Sequence, residues 1–203
     1  MAEPRTLLCF GDSNTWGYVP GSNGSRFPRH VRWPVRLQAA LGAGWEVVAE
    51  GLSGRTATME SPVAEGRNGL PYLVPCLLSH APVDLLILFL GTNDVGPRFA
   101  LPEGDVAKSV GRLAKVARSA EAGPGGGTPE ILVVCPPPFD GHQLGPHFAE
   151  VCAELGCGLL DLAGVASYDV VGDDVEHLGE AAHAALGSAV AERVHGLFGG
   201  ERS

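Results

Sequence analysis

Short apolar runs recur along the chain, each bounded by glycine, proline or charged residues. They are continuous rather than alternating with polar positions, and Val, Ile and Leu dominate them. This pattern is typical of strands that are buried on both faces of a parallel sheet. The predicted strands are TLLCF (6–10), WEVVAE (45–50), DLLILFLG (84–91), EILVVCPPP (130–138) and GLLDL (158–162).

Longer segments between these runs carry apolar residues three or four positions apart, which places them on one side of an α-helix. The predicted helices cover 31–41, 105–120, 146–156 and 178–198. One stripe contains Val106, Val110, Leu113 and Ala117, and the last helix carries a stripe of Ala182, Leu186, Val190, Val194 and Leu197. Because strands and helices alternate, the sequence predicts an α/β fold with helices on both faces of a parallel sheet.

Length and composition restrict the organisation of the chain and its partners. The 203 residues contain no linker that divides them, so we expect a single domain over 1–203. The net charge of −9 argues against a nucleic-acid partner, which requires a clustered basic surface, and favours a small neutral substrate. The five cysteines form an odd set without a CxxC motif and are expected to be buried and reduced.

The sequence predicts a cytoplasmic protein without a membrane partner. The apolar run before Gly11 is too short for the core of a signal peptide. No stretch approaches the roughly 18 consecutive apolar residues that a membrane span requires.

Polar loops follow the predicted strands at the places where an open parallel sheet binds its ligands. Such ligands lie beyond the carboxyl ends of the strands, near the point where the strand order reverses. The loops are GDSNTWGY, GLSGRTA, GTNDVG and PPPFDGHQLGPH after the first four strands, and VGDDVEHLG before the last helix.

These loops contain the residue types that acyl transfer from an ester requires: a nucleophile, a base, a group that orients the base, and donors to the oxyanion. Ser13 is either a nucleophile or the N-cap of a helix. His177 and Asp174 are either a base with its orienting carboxylate or a solvated loop pair. Asn93 and Gly54 are either oxyanion donors or ordinary turn residues.

Four short blocks resemble, in order and spacing, those of the SGNH, or GDSL-type, hydrolases. They are FGDS (10–13), GLSG (51–54), GTND (91–94) and DVEH (174–177). The resemblance covers nearly the whole chain and implies a flavodoxin-like three-layer α/β/α sandwich with a five-stranded parallel sheet. It also implies that Ser13, Asp174 and His177 form a catalytic triad, and that the Ser13 N–H, Gly54 and Asn93 form the oxyanion hole.

Longer stretches, among them LLCFGDSNTWGYVP and ILVVCPPP, resemble the mycobacterial arylesterase and acyltransferase branch of that family. The resemblance implies a serine esterase that hydrolyses small carboxylic esters and can pass the acyl group to an alcohol as well as to water. It leaves a homo-oligomer open. Asp12, Trp16, Tyr18 and Phe139 are candidate residues of the substrate pocket, with packing as the alternative for the three aromatic side chains.

Three alternatives compete with this interpretation: another esterase of the same fold, a binding module without catalysis, and a metal site. A carbohydrate acetylesterase, or another acetylesterase, of the same fold would use the same triad on a different substrate. A binding module would lack a catalytic part, and none is missing. A metal site would draw on the histidines His80, His142, His147 and His183, whose spacings match no zinc pattern, so no metal or other cofactor is expected.

Overall fold

Five strands form one sheet in the computed structural model, which describes residues 3–199. They are β1 (Arg5–Gly11), β2 (Trp45–Gly51), β3 (Leu85–Phe89), β4 (Glu130–Cys135) and β5 (Gly158–Asp161). Their order is β2-β1-β3-β4-β5, and all neighbours pair in parallel. The predicted five-stranded parallel sheet is confirmed. The fourth strand ends earlier than predicted because prolines 136–138 have no N–H to donate to a neighbouring strand.

Helices connect the strands and cover both faces of the sheet. They are α1 (Ser13–Trp16), α2 (Trp33–Leu41), α3 (Gly69–Ser79), α4 (Thr92–Val95), α5 (Glu103–Ser119), α6 (Gly145–Leu155) and α7 (Glu180–Phe198). The four predicted helices correspond to α2, α5, α6 and α7. Helix α3 was not predicted, because Pro71 and Pro75 interrupt the helical pattern, and Pro75 lies inside the helix.

Alternate residues of each strand point to opposite layers, so the core has two parts. On one face, Leu88 belongs to a buried cluster with Val110 of α5 and with residues of α3 and α6. On the other face, Ile87 belongs to a cluster with Leu186 of α7 and with residues of α2. The fold is therefore the three-layer α/β/α sandwich that the resemblance implies.

The predicted apolar stripes are confirmed except at one end. All four stripe residues of α5 are buried, and so are those of α7 from Ala182 to Val194. Leu197, however, is 45% exposed, so its assignment to the stripe was wrong. In that last turn Phe198 faces the sheet instead and packs on Trp45, with ring centroids 5.0 Å apart.

The thiols of the chain are mostly buried, and the helices that the structure describes are unlike membrane spans. All five thiols are free; Cys157 is partly exposed and the other four are buried, as predicted. Within residues 3–199, none of the helices combines the length and the apolar character needed to cross a bilayer.

The topology brings three of the predicted loops to one crevice. The chain runs from β1 to β2 on one side and then crosses to β3 on the other, so the strand order reverses between β1 and β3. Ser13 follows β1, Gly54 follows β2 and Asn93 follows β3. The carboxyl ends of these strands are therefore the expected place for a ligand.

Candidate active site

Ser13 is presented by a tight turn at the end of β1. Asp12, not Ser13, is the N-cap of α1, and its Oδ1 accepts a hydrogen bond of 2.9 Å from the Asn14 N–H. A Cβ on Gly11 would lie 2.1 Å from the Thr15 Oγ1, so this turn requires glycine. Because Asp12 satisfies the cap, the Ser13 hydroxyl is available for other partners.

The Ser13 hydroxyl is linked to a histidine and a carboxylate. The Ser13 Oγ lies 3.0 Å from the His177 Nε2, and the His177 Nδ1 lies 2.9 Å from both carboxylate oxygens of Asp174. The side chains of His177 and Asp174 are 12% and 13% exposed, so water screens this pair only weakly. This is the arrangement of a nucleophile, its base and the group that fixes the imidazole tautomer.

Two backbone amides hold Asp174 in its charged form. Its Oδ2 accepts 2.8 Å from the Gly21 N–H, and its Oδ1 accepts 3.3 Å from the Glu176 N–H. Burial on its own raises the pKa of Asp174, but these bonds and the hydrogen bond to His177 outweigh it and leave the pKa below its ordinary value. A carboxylate at this position stabilises a protonated imidazole.

Asn14 connects the serine helix to the histidine loop. Its Nδ2 donates 3.1 Å to the Glu176 carbonyl, and its Oδ1 accepts 2.9 Å from the Leu178 N–H. These two groups flank His177 on either side, so one buried side chain fixes the backbone that carries the base. Tyr18 packs on the imidazole itself, with ring centroids 4.1 Å apart.

The predicted oxyanion donors lie at the ends of β1, β2 and β3. Within residues 3–199, no protein group accepts a hydrogen bond from the backbone N–H of Ser13 or Gly54. Gly54 has a φ of +76°, which glycine adopts without strain. The Asn93 Nδ2 donates 3.1 Å to the Arg55 carbonyl and has a longer contact of 3.4 Å with the Asp12 Oδ2.

Two buried charged side chains hold the loop that contains Gly54. The Arg55 guanidinium donates to the Gly11 carbonyl at 2.9 Å and to the Glu50 carbonyl, and lies 4.2 Å from the ring centroid of Phe10. The Asp94 carboxylate accepts from the Ala57 N–H at 3.0 and 3.1 Å. The loop after β2 is therefore attached to both of the other strand ends.

Burial changes the proton affinity of the carboxyl groups around the nucleophile. Asp12 is fully buried, and this desolvation raises its pKa to about 7 against the lowering effect of the Asn14 N–H. Desolvation likewise raises the pKa of Asp94 to about 6, although backbone N–H groups such as that of Ala57 oppose it. Burial also raises the pKa of Glu176.

A cavity of about 370 Å³ opens over the serine. Its lining consists of Ser13, Tyr18, Ser53, Gly54, Asn93, Gly96, Pro97, Arg98, Phe99, Glu176 and His177. Ser13, His177 and the predicted oxyanion donors Gly54 and Asn93 therefore line one space. A second cavity, of about 580 Å³, shares the walls formed by Tyr18, Pro97 and His177 with the first and is lined in addition by Phe139 and Leu101.

The four candidate pocket residues are placed differently. Tyr18 lines both cavities and Phe139 lines the second. Trp16 lines neither; its ring lies 4.7 Å from the Arg26 guanidinium carbon and packs against Tyr18. Asp12 also lines neither, because it is fully buried as the cap of α1. Asp12 and Trp16 therefore support the site from behind and do not line its cavities.

Comparison with known proteins agrees with this geometry. The family model of the GDSL-like lipases and acylhydrolases matches residues 9–185, which include every residue of the predicted triad and oxyanion hole. The chain belongs to this family. As a GDSL-like acylhydrolase it is a serine esterase, as the sequence blocks predicted. No curated protein matches the chain.

Solved structures of esterases share the fold of this GDSL-like protein over almost its whole length. The aryl esterase of M. smegmatis is 36% identical, with a TM-score of 0.88 over 96% of this chain and 100% of that one. Est24, a carbohydrate acetylesterase from Sinorhizobium meliloti, is 33% identical, with the same TM-score and the same coverage. The predicted SGNH hydrolase fold is confirmed.

The structure brings together the residues that the sequence predicts for the reactive groups of this GDSL-like site, and it adds polar residues that hold them in place and that the sequence does not predict. Asn14, Arg55 and Asp94 were not predicted, although each lies next to a predicted residue: Ser13, Gly54 and Asn93, respectively. A polar residue adjacent to a motif residue was the available signal. It is ambiguous, because the same letters are common in exposed turns.

Proposed function

We propose that the protein hydrolyses small carboxylic esters through an acyl-enzyme on Ser13. The observation that carries this proposal is the hydrogen-bonded chain from the Ser13 Oγ to the His177 Nε2 at 3.0 Å and from the His177 Nδ1 to Asp174 at 2.9 Å. The serine end of that chain opens into the cavity of about 370 Å³. No cofactor takes part in the proposed reaction.

The reaction begins when the Ser13 Oγ attacks the ester carbonyl carbon and its proton passes to the His177 Nε2. Asp174 stabilises the imidazolium that forms. The oxyanion accepts hydrogen bonds from the N–H groups of Ser13 and Gly54 and from the Asn93 amide. To donate to the oxyanion, the Asn93 amide gives up its long contact of 3.4 Å with the Asp12 Oδ2.

Collapse of this intermediate breaks the bond to the leaving alcohol, which takes the proton from the His177 Nε2. A water molecule then attacks the acyl-enzyme, again giving its proton to His177. The acid is released and the Ser13 hydroxyl is restored. The same group thus acts first as base and then as acid in each half of the reaction.

The two cavities suggest separate places for the two parts of the ester. The first is small and contains the oxyanion donors, so it accommodates a short acyl group. The second is lined by the apolar residues Phe139, Leu101 and Val95 and also by Asp140, His142 and Asp173, so it accommodates an alcohol portion that has both apolar and polar groups. An alcohol bound there competes with water for the acyl-enzyme, which would produce acyl transfer to the alcohol.

A carbohydrate acetylesterase is the second candidate, and the polar wall of the first cavity favours it. Ser53, Arg98 and Glu176 line that wall, and such groups can bind the hydroxyls of an acetylated sugar. The Sinorhizobium meliloti relative is named for this activity. Comparison of kcat/KM between p-nitrophenyl esters of rising chain length and acetylated sugars decides between them, and selective turnover of the sugars would establish the second.

Substitution of the nucleophile tests the proposed mechanism. Ser13→Ala should lower kcat for p-nitrophenyl acetate by about 10⁴-fold or more. The variant keeps the donors to the oxyanion but has no hydroxyl to attack the ester. Mass spectrometry of acid-quenched wild-type enzyme should find one acetyl group on the peptide that contains Ser13. The control is Ser119→Ala, at an exposed hydroxyl at the end of α5, which should retain full activity. Wild-type turnover by Ser13→Ala, or acetyl on another residue, would disprove the assignment.

A further inference from the structure

A second cluster of reactive side chains lies away from the serine, between the end of β2 and the end of α3. The ligand atoms of Glu50, Cys76 and His80 all lie within 4.8 Å of one another, and among residues 3–199 this is the one such group of three. We propose that Glu50, Cys76 and His80 bind a divalent transition-metal ion of the zinc class. This proposal goes beyond ester hydrolysis and does not depend on it. It departs from the expectation, drawn from histidine spacing alone, that no metal binds, because the fold brings Glu50 to Cys76 and His80.

The three residue types are those that zinc prefers. Thiolate sulfur, imidazole nitrogen and carboxylate oxygen bind Zn²⁺ at about 2.3, 2.0–2.1 and 2.0–2.2 Å, almost always in a tetrahedron. The soft sulfur ligand favours zinc over the hard ions Mg²⁺ and Ca²⁺, which bind oxygen. When the ion binds, the Cys76 thiol releases its proton to solvent and the fourth position is taken by water.

The spacing of the groups is close to what the ion requires. Tetrahedral zinc with those bond lengths separates its ligand atoms by roughly 3.3–3.6 Å. The His80 Nε2 already lies 3.2 Å from the Glu50 Oε1, so an ion can replace the proton that these atoms share without moving either side chain far. The sulfur lies within 4.8 Å of both and has to approach by at most about 1.5 Å, which rotation about a side-chain bond can supply.

The backbone fixes these positions. Cys76 and His80 are four residues apart at the end of α3, which places them on one face of the helix, and His80 is the C-cap residue. Glu50 lies near the end of β2. The Tyr72 hydroxyl donates 3.0 Å to the Glu50 Oε2, so the carboxylate oxygen that faces away from His80 already has its partner.

Access and charge also suit a bound ion. The side chains of His80 and Glu50 are 32% and 23% exposed, and Glu50 and Tyr72 line a cavity of about 640 Å³ through which an ion and its water can enter. The carboxylate and the thiolate together supply two negative charges. The Arg55 guanidinium lies nearby, over the rings of Phe10 and Tyr72, and its charge weakens the attraction for a cation. Burial and the Glu50 charge raise the pKa of the Cys76 thiol to about 11, against the lowering effect of Tyr72 and Arg55, so the bound ion has to displace a proton from the sulfur.

The ion would join α3 to the strand that leads into the loop of Gly54. It would therefore contribute to the stability of the fold and would not contact the substrate, since none of its three ligands lines the cavity over Ser13. Stabilisation follows from binding to the folded state alone. At a hundredfold excess of free Zn²⁺ over its Kd, the Tm should rise by about 5–10 °C.

Titration of the metal-free full chain with Co²⁺ tests the proposal, because a thiolate on Co²⁺ produces a sulfur-to-cobalt charge-transfer band. We expect one Co²⁺ per chain with this band, and its displacement by Zn²⁺. Cys76→Ser and His80→Gln should each abolish the band or weaken the Co²⁺ affinity at least tenfold. Cys157→Ser removes the partly exposed thiol, which lies outside the cluster, and should leave the titration unchanged.

Circular dichroism and the Tm without metal show whether each variant folds. If Cys76→Ser does not fold, the partly exposed His80→Gln provides the decisive comparison, since it leaves the core thiol in place. The proposal is overturned if no thiolate band appears, if the band survives in folded His80→Gln at wild-type affinity, or if it is lost in Cys157→Ser.

Discussion

Asn14→Ala should separate the positioning of the catalytic base from the base itself. The substitution deletes two hydrogen bonds, the 3.1 Å donation to the Glu176 carbonyl and the 2.9 Å acceptance from the Leu178 N–H. Leu178 is fully buried, so its N–H loses its partner without access to water. An unsatisfied buried group costs about 1–3 kcal/mol, and we expect the free energy of unfolding to fall by about 2–4 kcal/mol.

The effect on catalysis follows from the position of those two groups on either side of His177. Once released, the loop no longer holds the His177 Nε2 at 3.0 Å from the Ser13 Oγ, and a misplacement of about 1 Å costs about 100-fold in rate. For hydrolysis of p-nitrophenyl acetate, kcat should therefore fall by about 100-fold, and KM should change far less. Both constants are measured at a temperature at which denaturant titration shows that the variant is fully folded.

A second asparagine provides the matched control. Asn68 caps α3 by accepting 3.0 Å from the Leu70 N–H, and its Nδ2 donates 2.8 Å to Glu60. Asn68→Ala therefore also deletes two hydrogen bonds and should destabilise the fold by about 1 kcal/mol with kcat unchanged. If folded Asn14→Ala retains kcat within twofold of wild type, the link between Asn14 and the base is refuted.

Two further predictions concern pH. The folded pKa of Asp12 is about 7 against an ordinary 3.8, so the folded state keeps a proton that the unfolded chain loses, and this group makes stability fall as pH rises from about 4 to 7. Asp12→Asn removes this titrating group, so the free energy of unfolding of the variant minus that of the wild type should increase by roughly 2–3 kcal/mol between pH 5 and pH 8. Urea titrations that give the same difference at both pH values would contradict this. His183 is buried between α2 and α7, where it accepts a hydrogen bond of 3.4 Å from the Trp33 N–H. Desolvation lowers its folded pKa to about 4, so its contribution to the free energy of unfolding is complete above pH 6.5 and is lost as pH falls towards 4. His183→Gln should remove about 3 kcal/mol of this acid sensitivity, measured by the same titrations, and an unchanged slope would contradict the assignment.

The sequence predicted those parts of the protein whose cause is local. Buried strands, amphipathic helices and the blocks around Ser13 and His177 are each readable within about ten residues, and the structure brings them together as expected. Helix α3 was missed because Pro75 suppresses the local helical pattern, whereas burial of Leu73 and Leu77 in the core favours the helix. Tertiary packing outweighed local propensity there.

The remaining features depend on partners that are distant in sequence. The two partners of Asn14 lie more than 160 positions away, and nothing in the letters GDSN indicates them. The sequence predicts Trp16 as a pocket residue together with Tyr18, but an aromatic residue close to Ser13 can face either the cavity or the protein. Its ring contacts Arg26, a loop residue that pairs with Tyr18 in an isolated β-bridge, and nothing in the local sequence indicates that contact.

Each residue of the proposed triad and oxyanion hole lies on a loop or a single helical turn, yet Ser13 and Asp174 each lie within hydrogen-bonding distance of His177. The buried polar side chains explain this, because Asn14 holds the histidine loop while Arg55 and Asp94 hold the loop of Gly54. Burial makes the charged form of Asp94 costly, because desolvation raises its pKa to about 6 even though backbone N–H groups such as that of Ala57 stabilise the carboxylate. Asp94→Ala would leave the buried Ala57 N–H without an acceptor and would release the loop of Gly54, so both the free energy of unfolding and kcat should fall when Asp94 is replaced. Polar residues that are buried without touching the substrate are therefore the ones on which the geometry of this site depends.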